Sequence, residues 1–202
     1  MPARGWQPPG IGQDEGVKVV VLADTHAPRR WRTCPPRVAG HLRGADLILH
    51  AGDVCTAGVL DELAAYAPVR AVRGNNDGPD VAAWGAPDTL EADLGGVRLA
   101  MVHDSGPSRG RAARLRGRFP RADLVVFGHS HIPVNQATDG QRISSGVVPF
   151  VSITSTSRRW SRARSASDSG VQCEACARLV ISSGSAFRSY ISYSVGATEN
   201  GS

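Results

Sequence analysis

Five segments of this chain carry residues of types able to bind metals and activate water. They are Asp24-Thr25-His26, Gly52-Asp53, Gly74-Asn75-Asn76-Asp77, His103-Asp104 and Gly128-His129-Ser130-His131. Mixed carboxylate, imidazole and amide donors suit Mn, Fe, Zn, Co or Ni better than a thiolate-preferring site would. Singly, each segment has an ordinary explanation: Asp-x-His is commonly a turn or a cap, and Gly-Asp is commoner still. The ordered set carries the weight, since four of the six histidines fall within it. On an extended backbone, residues i and i+2 point to the same side, so Asp24 and His26, and likewise His129 and His131, would converge. Glycines 52, 74 and 128 would let the backbone turn where those side chains reach inward. His50, inside the run LILHAGD, reads as a core or supporting histidine, and His41 as a residue of a helix surface.

Each segment follows an apolar run. Val17–Ala23, Ala45–Ala51, Val69–Val72 and Ala122–Phe127 are continuous enough to be strands buried on both faces. Thr89–Leu94 and Val97–Val102 flank Gly95-Gly96, a two-residue hairpin signal. Val59–Tyr66 has helical spacing, with Thr56 placed to cap it. Strands alternating with helices predict an α/β protein with one antiparallel pair in the middle. Open α/β sheets bind ligands at the carboxyl edge of their strands, where all five segments would lie.

Composition narrows the function classes. No apolar run is long enough for a membrane helix, and the polar N-terminal segment 1–16 lacks the apolar stretch of a signal peptide, so a disordered leader and a cytoplasmic protein are expected. The formal charge of +5 is spread along the chain without a basic patch interleaved with aromatics, which argues against nucleic acid as a partner. The one arginine cluster, Arg109 to Arg121, reads as a solvated helix face. Cys173-x-x-Cys176 has no second pair to complete a zinc tetrad, and Cys34 and Cys55 are isolated.

The order Asp-x-His, Gly-Asp, Gly-Asn-x-Asp, His, Gly-His-x-His resembles the calcineurin-like metallophosphoesterases, over residues 17–142 and with the compactness of their small prokaryotic phosphodiesterase branch. The resemblance implies a four-layer α/β/β/α sandwich and two divalent ions, Mn²⁺ first, with Ni²⁺, Fe²⁺, Zn²⁺ or Co²⁺ as alternatives. Carried over, Asp24, His26 and His131 would hold one ion, Asn75, His103 and His129 the other, and Asp53 would bridge them. Asp53, Asn75 and His103 would then serve catalysis through the ions, with a bridging hydroxide attacking phosphorus in line. Asn76 and Arg29 would face a small phosphoester substrate. Relatives of this kind often self-associate, but no residue here specifies an interface.

Two departures stand out. Many relatives have a histidine after the metal-binding Asn, able to protonate the leaving group; Asn76 cannot act as an acid near neutral pH. Good leaving groups are therefore favoured, with a catalytically weak binding scaffold of the same fold as the alternative. The second departure begins at Ser144-Ser145-Gly146-Val147, where an Asn-Pro-Gly-Ser strand end is expected. Residues 1–143 contain three serines and residues 144–202 sixteen, with Ser157–Ser169 resembling a linker. The domain is thus placed at 17–143, with 144–202 as a Ser/Arg-rich tail, either frameshifted or a genuine extension. Arg178–Ser182 and Ala186–Val195 could pair as a hairpin, while the closing strand of the relatives is expected to be absent.

Overall fold

The computed structural model describes residues 18–146 except 95 and 139, together with the strand backbones at 151–153, 175–180 and 190–195. The expectations for residues 1–16 and for Ser157–Ser169 lie outside the described residues.

The apolar runs form strands because each is buried on two faces. In β1 (Val19–Leu22) and β2 (Leu47–His50) every residue is buried. Alternate residues serve different cores: Val19, Val21, Leu47 and Leu49 join Leu99, Met101, Leu124 and Val126 in a central cluster. Val20, Leu22 and Ile48 instead pack against Val38, Leu42, Leu60 and Leu63. Those four belong to α1 (Pro36–Leu42) and α2 (Ala57–Ala64). On the far side, Val125, Phe127 and Ile143 meet Leu115 and Phe119 at α4 (Arg111–Arg118). The layers are therefore α/β/β/α, as the resemblance implies. Burying one such aliphatic or aromatic side chain contributes about 1.5–3 kcal/mol, so the double-sided strands are the main source of stability.

The first sheet has the order β11-β10-β9-β1-β2-β3 and the second β4-β5-β6-β8-β7. β1, β2 and β3 (Val69–Ala71) run parallel, with α1 and α2 as their crossovers. β5 (Arg98–Val102) and β6 (Leu124–Phe127) are parallel too, linked through α4. The hairpin forms as expected, β4 (Thr89–Asp93) pairing antiparallel with β5. A short helix, α3 (Pro79–Trp84), precedes it and ends at Gly85.

Two boundaries differ from the sequence reading. α2 starts at Ala57 behind Thr56, but Thr56 makes no side-chain cap bond; the Ala57 N–H donates to Asp80 Oδ2 instead, at 2.9 Å. A remote carboxylate supplied what the local residue was expected to give. At the other end, β8 (Gln141–Ser145) runs past the expected boundary at 143, with Ser144 and Ser145 buried. β7 (Asn135–Thr138) pairs with it along the sheet edge.

The closing position beside β1 is filled. β9 (Val151–Ile153) lies antiparallel to β1, and β10 (Ala175–Val180) pairs with β9 and with β11 (Tyr190–Val195). The tail forms a hairpin of β10 and β11, which overlap the expected segments Arg178–Ser182 and Ala186–Val195 in part; residues 181–189 lie outside the described residues. The closing strand expected to be lost has a substitute in β9.

Candidate metal centre

Parallel direction brings the carboxyl ends of β1, β2 and β3 to one edge, and β5 and β6 deliver theirs to the same place across the sheet interface. Backbone bonds knit the loops: the Asp24 N–H donates to Gly52 O at 2.9 Å and the His26 N–H to Asp53 O at 3.0 Å. The Gly128 N–H donates to His103 O at 2.9 Å.

The loops are not extended. Asp24, His26, Asp53, Cys55, His129 and His131 all have positive φ, from 45° to 69°, and no other described non-glycine residue does. They form three i, i+2 pairs, so convergence comes from left-handed turns, not from strand alternation. Asp and His tolerate that region better than most residues. Each such residue still costs about 1–3 kcal/mol, which only the surrounding contacts can hold in place. The glycines divide by role. Gly52 has φ +89°, whereas Gly74 and Gly128 are needed for closeness. A Cβ on Gly74 would lie 2.2 Å from Asp53 Oδ1, and one on Gly128 2.8 Å from Ala51 O.

Two groups of donors result, Asp24–His26–His131 and Asp53–His103–His129, each with its ligand atoms within 4.8 Å of one another. In the first, His26 Nε2 and His131 Nε2 are 3.2 Å apart, and His131 Nε2 is 3.5 Å from Asp24 Oδ1. In the second, Asn75 Oδ1 lies 3.1 Å from His103 Nε2 and 2.8 Å from His129 Nδ1. Asp53 stands between them, Oδ1 3.4 Å from His103 Nε2 and Oδ2 3.7 Å from His26 Nε2. All seven residues expected as ligands therefore meet.

The donor set fits cations on its own chemistry. His103 Nδ1 is 2.8 Å from the Ala51 carbonyl, an acceptor, so that nitrogen carries the proton. Its Nε2 faces the oxygens of Asn75 and Asp53, at 3.1 and 3.4 Å. Asp24 is 4 % exposed, and its Oδ2 has no hydrogen-bond partner. Burial pushes the Asp24 carboxyl above its usual range, against the pull of His131 and His103. Burial also pushes Asp53 up, but hydrogen bonds from Asn76, with His103 and His26 nearby, outweigh it and hold that carboxyl below its usual range.

The role of Asp77 and the contact made by Arg30 escaped the sequence reading. Asp77 accepts the Asp53 and Cys55 N–H groups at 3.0 and 2.6 Å and the Gly74 N–H at 2.7 Å, tying two loops together. Only its place in Gly-Asn-x-Asp could have flagged it. His50 is fully buried, with Nε2 3.2 Å from Thr25 Oγ1, consistent with a supporting role. Arg29 is exposed on the turn after His26. Its neighbour Arg30 touches the site, Nη1 3.2 Å from His131 Nδ1. The arginine cluster is not simply solvated: Arg114 donates to Ser105 O at 2.8 Å and Arg111 lies over the Phe127 ring at 4.9 Å. His41 is half-buried in α1. Among the described residues no helix is long and apolar enough to cross a membrane.

Residues 17–150 match the profile of the calcineurin-like phosphoesterase superfamily domain. The chain belongs to that superfamily. Within it, the chain is 35% identical over 117 residues to a probable metallophosphoesterase from Methanothermobacter thermautotrophicus, covering 56% of this chain and 66% of the relative. A second probable metallophosphoesterase, from Methanocaldococcus jannaschii, is 32% identical over 116 residues, covering 56% and 58%. The chain thus spans less than two thirds of these relatives' length. The superfamily fold recurs in vacuolar protein sorting 29 from Cryptosporidium parvum, with TM-score 0.58 and 21% identity over 67% of this chain and 76% of that one. It recurs in an archaeal phosphodiesterase, with TM-score 0.52 and 19% identity over 65% and 85%.

Proposed function

We propose that this chain is a metal-dependent phosphodiesterase cleaving small or activated phosphodiesters at a dinuclear centre. The observation that carries the proposal is the placement of Asp53, one carboxylate oxygen toward each histidine group. Asp24, His26 and His131 would hold one ion, and Asn75, His103 and His129 the other, with Asp53 shared. Bound there, two divalent ions, Mn²⁺ foremost, would supply an acidified water and positive charge for the phosphoryl oxygens. Membership of the superfamily supports the reaction class.

The chain's own residues set the limits of the reaction. His103 is oriented by the Ala51 carbonyl, and the Asp24 carboxylate is fixed by the His129 N–H at 3.1 Å. Arg29 and Arg30, exposed beside His26, offer positive charge to an anionic diester at the rim. Position 76 provides no acid for the leaving oxygen, so departure depends on that group's own acidity. Aryl esters suit such a site.

The experiment is hydrolysis of bis-p-nitrophenyl phosphate by chelator-treated protein, before and after Mn²⁺ is restored. Activity that returns with Mn²⁺ supports the proposal. An inert protein that nonetheless binds Mn²⁺ would favour the scaffold reading.

A further inference from the structure

Asn76 was expected to face substrate, yet its amide is directed elsewhere. Its Nδ2 donates to Asp53 Oδ2 at 2.7 Å, and its backbone N–H donates to Oδ1 at 2.8 Å. Gly74 lets its backbone pass close behind the carboxylate, where a Cβ would sit 2.2 Å from Oδ1. Asp77 fixes the Asp53 backbone by accepting its N–H at 3.0 Å. The two carboxylate oxygens are thus bonded on one side and left open toward His26 and His103 on the other. A carboxylate has about four lone-pair positions, so bonds to Asn76 leave room for a cation at each oxygen.

We infer that Asn76 is a positioning residue for Asp53, its amide fixing the carboxylate in the orientation that offers one oxygen to each histidine group. The inference rests on the two-ion reading of the site and adds a role for the residue that departs from the superfamily's histidine. A hydrogen bond to a charged acceptor is among the stronger kind. Asp53 is only 2 % exposed, so nothing from solvent replaces a lost donor. Partners that orient metal ligands typically change affinity 10–100-fold when removed.

The chemistry also says which replacements preserve the role. Asn76 is exposed, so substitutions there leave the core untouched. Leucine keeps the branched shape and loses the donor. Histidine keeps a donor, because imidazole Nδ1 is attached to Cγ just as the amide Nδ2 is.

The test is Mn²⁺ titration of the chelator-stripped full chain by calorimetry, for wild type, Asn76→Leu and Asn76→His, alongside each metal-free melting temperature. The expected result is Mn²⁺ binding about 10–100-fold weaker in Asn76→Leu. Its metal-free melting temperature should be unchanged, and Asn76→His should bind close to the wild type. Wild-type affinity in Asn76→Leu, or an equal loss in Asn76→His, would overturn the assignment. Failure of the wild type itself to take up Mn²⁺ would overturn the two-ion reading and this inference with it.

Discussion

His103 Nε2 lies 3.1 Å from Asn75 Oδ1, while the other ring nitrogen donates to the Ala51 carbonyl and fixes the ring. A cation between them would take both atoms as ligands. Cation binding should therefore stabilise the fold. At a free Mn²⁺ concentration 100 times the dissociation constant, unfolding should become about 2.7 kcal/mol harder per site. Thermal melts with Mn²⁺ and after chelation check this, and superimposable curves would speak against a metal centre.

His50 should shape the acid limb of stability. Burial, aided by His103, pulls its imidazole from 6.5 down to about 3. The unfolded chain accepts that proton near pH 6.5 and the folded chain only near 3. Protonation in between favours unfolding, so stability is full above pH 6.5 and is lost as pH falls toward 3. The effect is on the order of 5 kcal/mol across the window. Denaturant unfolding of metal-free wild type and His50→Gln from pH 4 to 7 isolates it, because Asp24 and Asp53 titrate in both proteins. The variant should show the flatter decline, and parallel slopes would contradict the assignment.

Leaving-group acidity should govern turnover. With Asn76 bonded to Asp53 and unable to give a proton, aryl phosphodiesters should be cleaved far faster than alkyl ones. Asn76→His should raise rates on poor leaving groups by up to about 10²–10⁴-fold if its imidazole reaches the leaving oxygen. Similar wild-type rates on aryl and alkyl diesters would count against this picture.

Two glycines should answer alanine in opposite ways. Gly74→Ala puts a Cβ 2.2 Å from Asp53 Oδ1 and 2.3 Å from its backbone nitrogen. It should cost at least about 1–3 kcal/mol and lose metal. Gly40, inside α1, meets only Arg43 Nη2, at 3.7 Å. Gly40→Ala should gain about 0.5–1 kcal/mol. Chemical denaturation measures both, and a neutral Gly74→Ala would show that the loop has more room than the structure gives it.

The grouping of the donor residues was legible because each strand run ends where its donor begins, and the double burial of β1, β2 and β6 leaves a continuous apolar signature. What carries no periodicity was missed. The left-handed turns at Asp24, His26, His129 and His131 are set by contacts between loops distant in sequence, so alternation gave the right convergence for the wrong reason. Asp77 and Asp80 bind backbone N–H groups 22 to 24 residues away, which no local pattern announces. The bond from Asn76 to Asp53 was not foreseen because the two are 23 residues apart in the chain. β9 substitutes for a closing strand without the motif that usually marks one.

A dinuclear centre requires Asp53 to be shared by two ions. The direct measurement is metal content per chain after Mn²⁺ loading and buffer exchange, for wild type and Asp53→Asn, with bis-p-nitrophenyl phosphate turnover of the same samples. Two ions per wild-type chain, with both weakened and turnover abolished in Asp53→Asn, is the predicted result. Two tightly held ions and full activity in Asp53→Asn would contradict it.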